Sequence, residues 1–167
     1  DALVMVRDLS LGLESLHAAG FVHGDVQVRK MLVGPSGYLV GDIAGCQEGT
    51  KKELCNSHYS KHSDIEDLHA MVGEIFAEVA TRQSPEVSPR FEGASFLSDS
   101  YQEATVDVQD LIFAELRKRN RDPSDAADQV ARFSEAVSSL ERGIYDDATL
   151  INLAALADDL ISAFRSK

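Results

Sequence analysis

The sequence is poor in positive charge and in long apolar runs, and each shortage excludes a class of protein. Sixteen Lys and Arg residues stand against 28 Asp and Glu residues, which gives a formal net charge of −12. Binding to nucleic acid or to an anionic membrane surface needs cations that face phosphates, so we expect neither partner. No apolar run approaches the roughly 20 residues that a membrane helix needs, and no signal peptide opens the chain.

Cysteine is also scarce, because Cys46 and Cys55 are the only two and cannot form a disulfide framework. Two free thiols are typical of a reducing compartment, so we expect an intracellular, cytoplasmic protein. A zinc site that combines them with His58 and His62 would need four converging ligands, which makes free thiols the simpler interpretation. The first residue is Asp1 and not Met, which indicates a fragment, a processed product or an incompletely traced protein.

The 167 residues are 44% hydrophobic and 26% charged, enough apolar material for a single core. Apolar residues at helical spacing predict a first helix over residues 3–19, and Gly20 is suited to end it in a left-handed turn. Two short β-type runs, Met31–Val33 and Tyr38–Val40, flank a Gly-Pro-Ser-Gly turn and predict a hairpin. An irregular loop is expected from Gly41 to Lys61, with a short helical piece near residues 51–55.

The rest of the chain has a helical pattern. Ser63, with Glu66 three residues later, forms a capping-box pattern that predicts a long helix through about Ala80. A loop should follow over residues 81–99, and Ser124 is expected to cap a later helix. The later helices are predicted over residues 106–119, 124–141 and 146–166. We therefore predict a mainly α (α+β) fold, a helical bundle that carries a short β-hairpin.

Three aspartates fall where functional carboxylates are often found. Asp25 lies on the bend between the first helix and the hairpin, Asp42 directly follows the second strand, and Asp64 opens the long helix. Loops and strand ends are common places for a general base or a cation site. An Asp at a helix start is more often a plain cap or a partner of the helix dipole, and that interpretation stays open for Asp64.

The segment Asp8–Gly45, DLSLGLESLHAAGFVHGDVQVRKMLVGPSGYLVGDIAG, resembles the catalytic core of the eukaryotic-type protein kinase superfamily. Within it, LHAAGFVHGD is similar to the family's helix and catalytic loop, and GDIAG is similar to its Asp-Phe-Gly metal motif. Downstream, HYSKHSDIEDLHAMVGEIFAEVAT resembles the family's central helix, and QDLIFAELRKRNRDPSDAADQVARF resembles the last two helices of its large lobe. The resemblance implies a kinase-like C-terminal (large) lobe over residues 1–133, with residues 134–167 as a helical extension packed on it.

The resemblance also implies roles for individual residues in phosphoryl transfer from ATP. Asp25 would be the catalytic Asp that orients the acceptor hydroxyl, and Asp42 would bind Mg²⁺. Asp64 would hydrogen-bond the backbone of the catalytic loop, in which His23 would be a packing residue. Lys30 stands where the family has an Asn that holds a metal ion. An ammonium repels Mg²⁺ and has no lone pair to offer, so this position departs from the pattern.

Other departures concern regulation and the nucleotide site. Gly24 replaces the arginine that would clamp a phosphorylated activation loop, so that switch is expected to be absent. The family's Gly-rich loop, its phosphate-contacting Lys and the Glu partner of that Lys precede this region and have no counterpart here. Positioning and electrostatics supply nearly all of phosphoryl-transfer catalysis, so we expect the chain alone not to be an efficient kinase. Mg-ATP would be a cofactor only if an N-terminal lobe were present.

Three functions stay open at this point. A catalytically degenerate, pseudokinase-like lobe that acts as a binding or scaffold module is favoured by Lys30, by the altered metal motif and by the missing small lobe. A C-terminal fragment of an active phosphotransferase, either a protein kinase or a small-molecule kinase, would need Asp25 and Asp42, and both are present. A helical interaction module unrelated to kinases would need neither. The expected partner is a protein or the missing N-terminal lobe.

Overall fold

Five α-helices dominate the computed structural model, which describes residues 2–48, 60–83, 107–143 and 148–165. The helices are α1 (Ala2–Ala18), α2 (Lys61–Gln83), α3 (Val108–Lys118), α4 (Ala127–Glu141) and α5 (Thr149–Arg165). Four short strands form two antiparallel pairs, and they are β1 (Phe21–Val22), β2 (Met31–Gly34), β3 (Gly37–Val40) and β4 (Gln47–Glu48). The prediction of a mainly helical fold with a small hairpin is confirmed.

Helix α1 forms where the apolar spacing predicts it, with each end shifted by one residue. Its inward face is apolar and buried, with Leu3, Val6, Leu9 and Leu13 at most 9% exposed. The chain leaves the helix through Gly20, whose φ of +85° lies in the left-handed region that favours glycine. The predicted helix and its glycine stop are therefore confirmed.

The predicted hairpin is strands β2 and β3, in which Met31 pairs with Val40 and Leu32 with Leu39. The turn is fixed to α1 by Asp8, whose carboxylate accepts a hydrogen bond from the Tyr38 N–H at 2.9 Å. Gly37 has a φ of +146°, and a Cβ there would collide with the Asp8 carboxylate. Glycine is thus needed at the point where the hairpin approaches the helix.

The second strand pair is a correction to the predicted loop between Gly41 and Lys61. Gln47 and Glu48 form strand β4, which pairs with Phe21 and Val22 of β1. A strand of two residues leaves no alternation in the sequence, so its pairing depends on where the tertiary fold brings it. The expected helical piece at 51–55 lies outside the described residues, as do residues 84–99 of the predicted loop. Residues 81–83, also predicted as loop, belong to α2.

Both predicted helix caps are displaced. Helix α2 starts directly after Ser60, where the Ser60 N–H donates to Ser63 Oγ and the Ser63 N–H donates to Ser60 Oγ, both at 3.0 Å. Ser60 is therefore the capping residue, and Ser63 has the reciprocal position inside the first turn. Ahead of α4, Asp122 accepts from the Ser124 N–H at 2.9 Å and caps a short 3₁₀ turn. Each region holds more than one cap-competent residue, so the sequence pattern alone selected the wrong one.

One hydrophobic core joins all five helices. Helix α5 packs along α1 and α4, and the rings of Phe76 in α2 and Phe133 in α4 lie 6.2 Å apart in a tilted arrangement. Leu153, Ala157 and Leu160 of α5 belong to this core. The boundary predicted between residues 133 and 134 falls inside α4. None of the helices in the described ranges is long and apolar enough to cross a membrane.

Replacing Leu153 by Ala should lower the free energy of unfolding by about 2–5 kcal/mol, because the side chain is 1% exposed and its loss leaves a cavity. Ile151→Ala, on the outer face of the same helix at 48% exposure, should change it by about 0.5 kcal/mol or less. Chemical denaturation followed by circular dichroism measures both values. Equal losses in the two variants would contradict the packing of α5 against α1.

Candidate functional site

The turn that follows α1 is held by a buried carboxylate from α2. Asp64, in the first turn of α2, is fully buried, and its Oδ1 accepts a hydrogen bond from the Gly24 N–H at 2.6 Å. Its Oδ2 accepts from the His23 N–H at 2.8 Å and lies 2.8 Å from Nε2 of His17. A carboxylate can be buried at tolerable cost only when such donors surround it. Asp64 therefore fastens α2 to the end of α1 and to the loop that precedes Asp25. The resemblance implies the contact with the loop backbone, whereas the contact with His17 of α1 was not expected.

Gly24 has a backbone conformation that explains the residue type at this position. Its φ is +75°, a left-handed value that a residue with a Cβ rarely adopts. In this conformation its N–H points at Asp64. The glycine that departs from the kinase pattern is thus part of the turn that Asp64 stabilises.

The buried side chain of His23 connects this turn to the strand that leads into Asp42. Its Nε2 lies 2.8 Å from the Gly41 carbonyl oxygen, which can only accept, so Nε2 carries the proton. The Asp25 N–H donates to Nδ1 at 3.3 Å. A Cβ at Gly41 would collide with the carbonyl oxygen of Lys30. Both ring nitrogens of His23 are therefore occupied, and the residue positions the loop rather than reacting.

Asp25, Lys30 and Asp42 converge at the open side of the hairpin. Lys30 Nζ donates to Asp25 Oδ2 and lies 2.8 Å from Asp42 Oδ2. The Gln27 side-chain amide donates to the other oxygen of Asp25. The two carboxylates are 42% and 54% exposed, whereas the Lys30 side chain is only 21% exposed. The structure thus brings together all three residues that the sequence singled out around the catalytic-loop and metal motifs.

Asp42 lies directly after β3 in an unusual backbone conformation. Its φ of 59° and ψ of 38° are left-handed, and Asp is one of the few residues with a side chain that adopt this region. A short 3₁₀ turn, Ile43–Gly45, follows it at once. From this position the Asp42 carboxylate reaches the Lys30 ammonium.

The charges of the three residues stabilise one another. The hydrogen bond from Lys30 is the largest cause that lowers the pKa of Asp25 below its ordinary value. Conversely, Asp25 first and Asp42 second raise the pKa of the Lys30 ammonium. While Asp25 is ionised and Lys30 is protonated, each of the two groups stabilises the charged form of the other.

Asp67 is a further acidic residue beside the site that the sequence reasoning missed. It accepts a hydrogen bond from the Val26 N–H at 3.2 Å, so it holds the residue that follows Asp25. Partial burial, and to a lesser degree the negative charges of Asp64 and Asp25, raise its pKa. Its position three residues after Asp64 on one helix was the signal in the sequence, since residues at that spacing share a face.

The residues present do not fit a divalent metal ion. Among the described residues, no group of three or more His, Cys, Asp or Glu side chains is arranged to hold one. Asp25 and Asp42 are two oxygen donors, but the Lys30 ammonium contacts both of them and repels a second cation. Of the residues considered for a zinc site, Cys55 and His58 lie outside the described residues.

Comparisons with known proteins do not assign the chain to a family. No family model matches it, and a search of curated proteins found no match. The assignment of a function therefore depends on the geometry of the residues described above.

Replacing Asp64 by Asn should lower the free energy of unfolding by about 3 kcal/mol. The NH₂ group of Asn cannot accept a hydrogen bond, so one of the buried N–H groups that donate to the Asp64 carboxylate would lose its acceptor. Glu66→Gln in the same turn of α2, at 60% exposure, should cost less than about 1 kcal/mol. Urea denaturation at neutral pH gives both values. A loss in Asp64→Asn no larger than in Glu66→Gln would contradict the tethering role.

Replacing Lys30 by Met should raise the pKa of Asp25 toward its ordinary value of 3.8, because the largest cause of its lowering is removed. In the wild-type chain, the pKa of Asp25 is lower in the folded state than in the unfolded state. The ion pair with Lys30 therefore stabilises the fold at a pH above the unfolded-state pKa of Asp25. This stabilisation is lost as the pH falls through the folded-state pKa. Arg29→Met is the matched control and should shift the Asp25 pKa less. NMR titration of the carboxyl carbon measures the pKa, and equal shifts in both variants would contradict the Lys30 contact.

Proposed function

We propose that the chain is a kinase-like large lobe that has lost phosphoryl-transfer catalysis and acts by binding, as a pseudokinase-type scaffold module. The observation that carries the proposal is the position of Lys30. Its ammonium contacts both Asp25 and Asp42, the two carboxylates to which the resemblance assigns catalysis and metal binding. An internal cation there compensates the charge that a metal ion would otherwise compensate.

The arrangement around Asp64 supports the kinase-like interpretation over an unrelated helical module. The chain runs from a helix through a tight turn into a hairpin and later into a central helix, in the order of the family's motifs. The Asp64 carboxylate binds the His23 and Gly24 N–H groups, and Asp25 and Asp42 meet at one cation. A helical module with only chance likeness to kinases would not require these contacts.

A fragment of an active phosphotransferase is the second candidate, and the exposure of Asp25 and Asp42 favours it. Both carboxylates face solvent, at 42% and 54% exposure, so a substrate could reach them. In that case Mg-ATP would need an N-terminal lobe, and Lys30 would have to leave the two carboxylates when a metal ion binds. The partner is then that lobe, whereas the leading proposal expects a protein partner in an intracellular compartment.

The exchange Lys30→Asn tests whether Lys30 excludes a divalent ion. The wild-type chain should show no saturable Mn²⁺ binding at millimolar concentration, whereas Lys30→Asn, which exchanges the ammonium for an amide oxygen, should bind Mn²⁺ and broaden the NMR signals of Asp25 and Asp42. The double variant Lys30→Asn/Asp42→Asn is the control and should lose that binding. Saturable broadening of both aspartates by Mn²⁺ in the wild-type chain would contradict the proposal.

Phosphotransfer by the natural protein gives the decisive test between the two candidates. If the chain is a degenerate lobe, the full-length protein should transfer no phosphoryl group from Mg-ATP to protein or small-molecule acceptors above the level of its Asp25→Asn variant. Radiolabelled ATP provides the measurement. Robust transfer that Asp25→Asn abolishes would establish the phosphotransferase instead.

A further inference from the structure

A groove lies at the end of the helical bundle away from the Asp25 site. It has a volume of about 440 Å³ and is lined by α1, α2, α3 and α5 together with the residue that follows α3. The groove touches the first turn of α1, at Leu3, while the turn that holds Asp25 follows the last, so about 20 Å of helix separates the two. Its volume is within the range of sites that hold ligands or peptide side chains.

The floor of the groove is apolar and well ordered by the core. Leu3, Phe76, Ile112 and Ile161 contribute to it from four different helices, and each is at most 9% exposed. Phe164 adds a partly buried aromatic ring at the side. Such a floor favours apolar side chains of a ligand, because their burial removes apolar surface from water.

Positive charge surrounds this floor in a chain that is otherwise strongly acidic. Arg82 near the end of α2, Arg119 directly after α3 and Arg165 at the end of α5 line the groove, against a single acidic lining residue, Glu115. The chain as a whole has 16 basic and 28 acidic residues, so three arginines against one glutamate invert its average charge. The charged side chains that line the groove are therefore net positive, which favours a negatively charged partner over a positively charged one.

Two of the three arginines are already oriented. Arg119 lies with its guanidinium carbon 5.3 Å from the centre of the Phe164 ring, and its Nε donates to Glu115 at 2.9 Å. Arg82 donates from Nε to Glu78 at 2.8 Å. Arg165 is exposed, and within the described residues the structure shows no ion pair for it. Arg82 and Arg119 each share their charge with a glutamate one turn earlier, so a peptide carboxylate would add to or replace that contact.

We infer that this groove is the docking site for an acidic, amphipathic peptide segment of a protein partner. The inference rests on the proposed binding function and names its surface and the chemistry of its partner. Apolar side chains of the segment contact the floor, while its Asp and Glu side chains pair with the arginines. Three cations contributed by separate elements suit several carboxylates along one segment better than a ligand with a single charge.

The test uses the folded chain and three sets of short synthetic peptides labelled with fluorescein. One set combines Leu and Phe with Asp and Glu, the second replaces each acidic residue by Lys, and the third replaces each apolar residue by Ser. Fluorescence anisotropy should show binding for acidic amphipathic peptides, weaker binding for the Ser set and none for the Lys set. Affinity should fall as salt is added, because the arginine contacts are exposed.

The charge reversal Arg82→Glu/Arg165→Glu should weaken binding at least about tenfold, since it replaces two attractive contacts by repulsion. Arg117→Glu/Arg132→Glu is the matched control, because it changes the net charge equally at two exposed arginines that do not line the groove. Circular dichroism verifies that both variants are folded. The expected result is tenfold weaker binding for the groove variant and wild-type affinity for the control.

Equal weakening in both variants would overturn the inference, because it would indicate attraction to the overall charge. Absence of binding by every acidic amphipathic peptide would also overturn the inference. So would binding of decanoate, a fatty acid with a single carboxylate, if no peptide binds and the groove variant loses the decanoate binding. The Mn²⁺ experiment on Lys30 involves none of the groove residues. The docking surface and the proposed loss of catalysis can therefore fail separately.

Discussion

The hydrogen bonds to the buried carboxylate of Asp64 are the interactions on which the rest of the site depends. A fully buried negative charge is stable only if donors converge on it, and here they come from the His23 and Gly24 backbone and from the His17 ring. Those contacts fix the end of α1, the following turn and the start of α2 relative to one another. The His23 ring then binds the Gly41 carbonyl, so the position of Asp42 follows from the same constraint.

Lys30 gives this scaffold an internal cation that contacts both exposed carboxylates of the site. The ammonium is attached to the chain a few residues after Asp25, and it contacts one carboxylate on each side of the hairpin. The lowered pKa of Asp25 and the raised pKa of Lys30 are two expressions of the same contact. The ammonium offsets part of the repulsion between the two aspartates, which allows them to lie close together.

The two ends of the bundle differ in the charged residues that they carry. Asp25, Asp42, Asp64 and Asp67 gather at the hairpin end with Lys30 among them, and arginines surround the apolar groove at the other end. The helices that define the first site, α1 and α2, also contribute the walls of the second. A close-packed core between the ends, in which the Phe76 and Phe133 rings contact in a tilted arrangement, keeps both surfaces in place.

The sequence by itself determined the elements that depend on short-range order. The apolar spacing of α1, its Gly20 stop, the β2–β3 hairpin and the long α2 helix all have patterns within a few residues, and they form where those patterns predict them. For Asp25, Lys30 and Asp42, no local pattern predicted that they meet, and only the resemblance implied roles for them in one site. Only the tertiary structure decided the β1–β4 pairing, the choice of Ser60 as cap, the contact of Asp67 with Val26 and the groove. Each of these joins segments far apart in the chain or selects among equivalent neighbours, and local patterns contain no information about which long-range contact gives the lowest free energy.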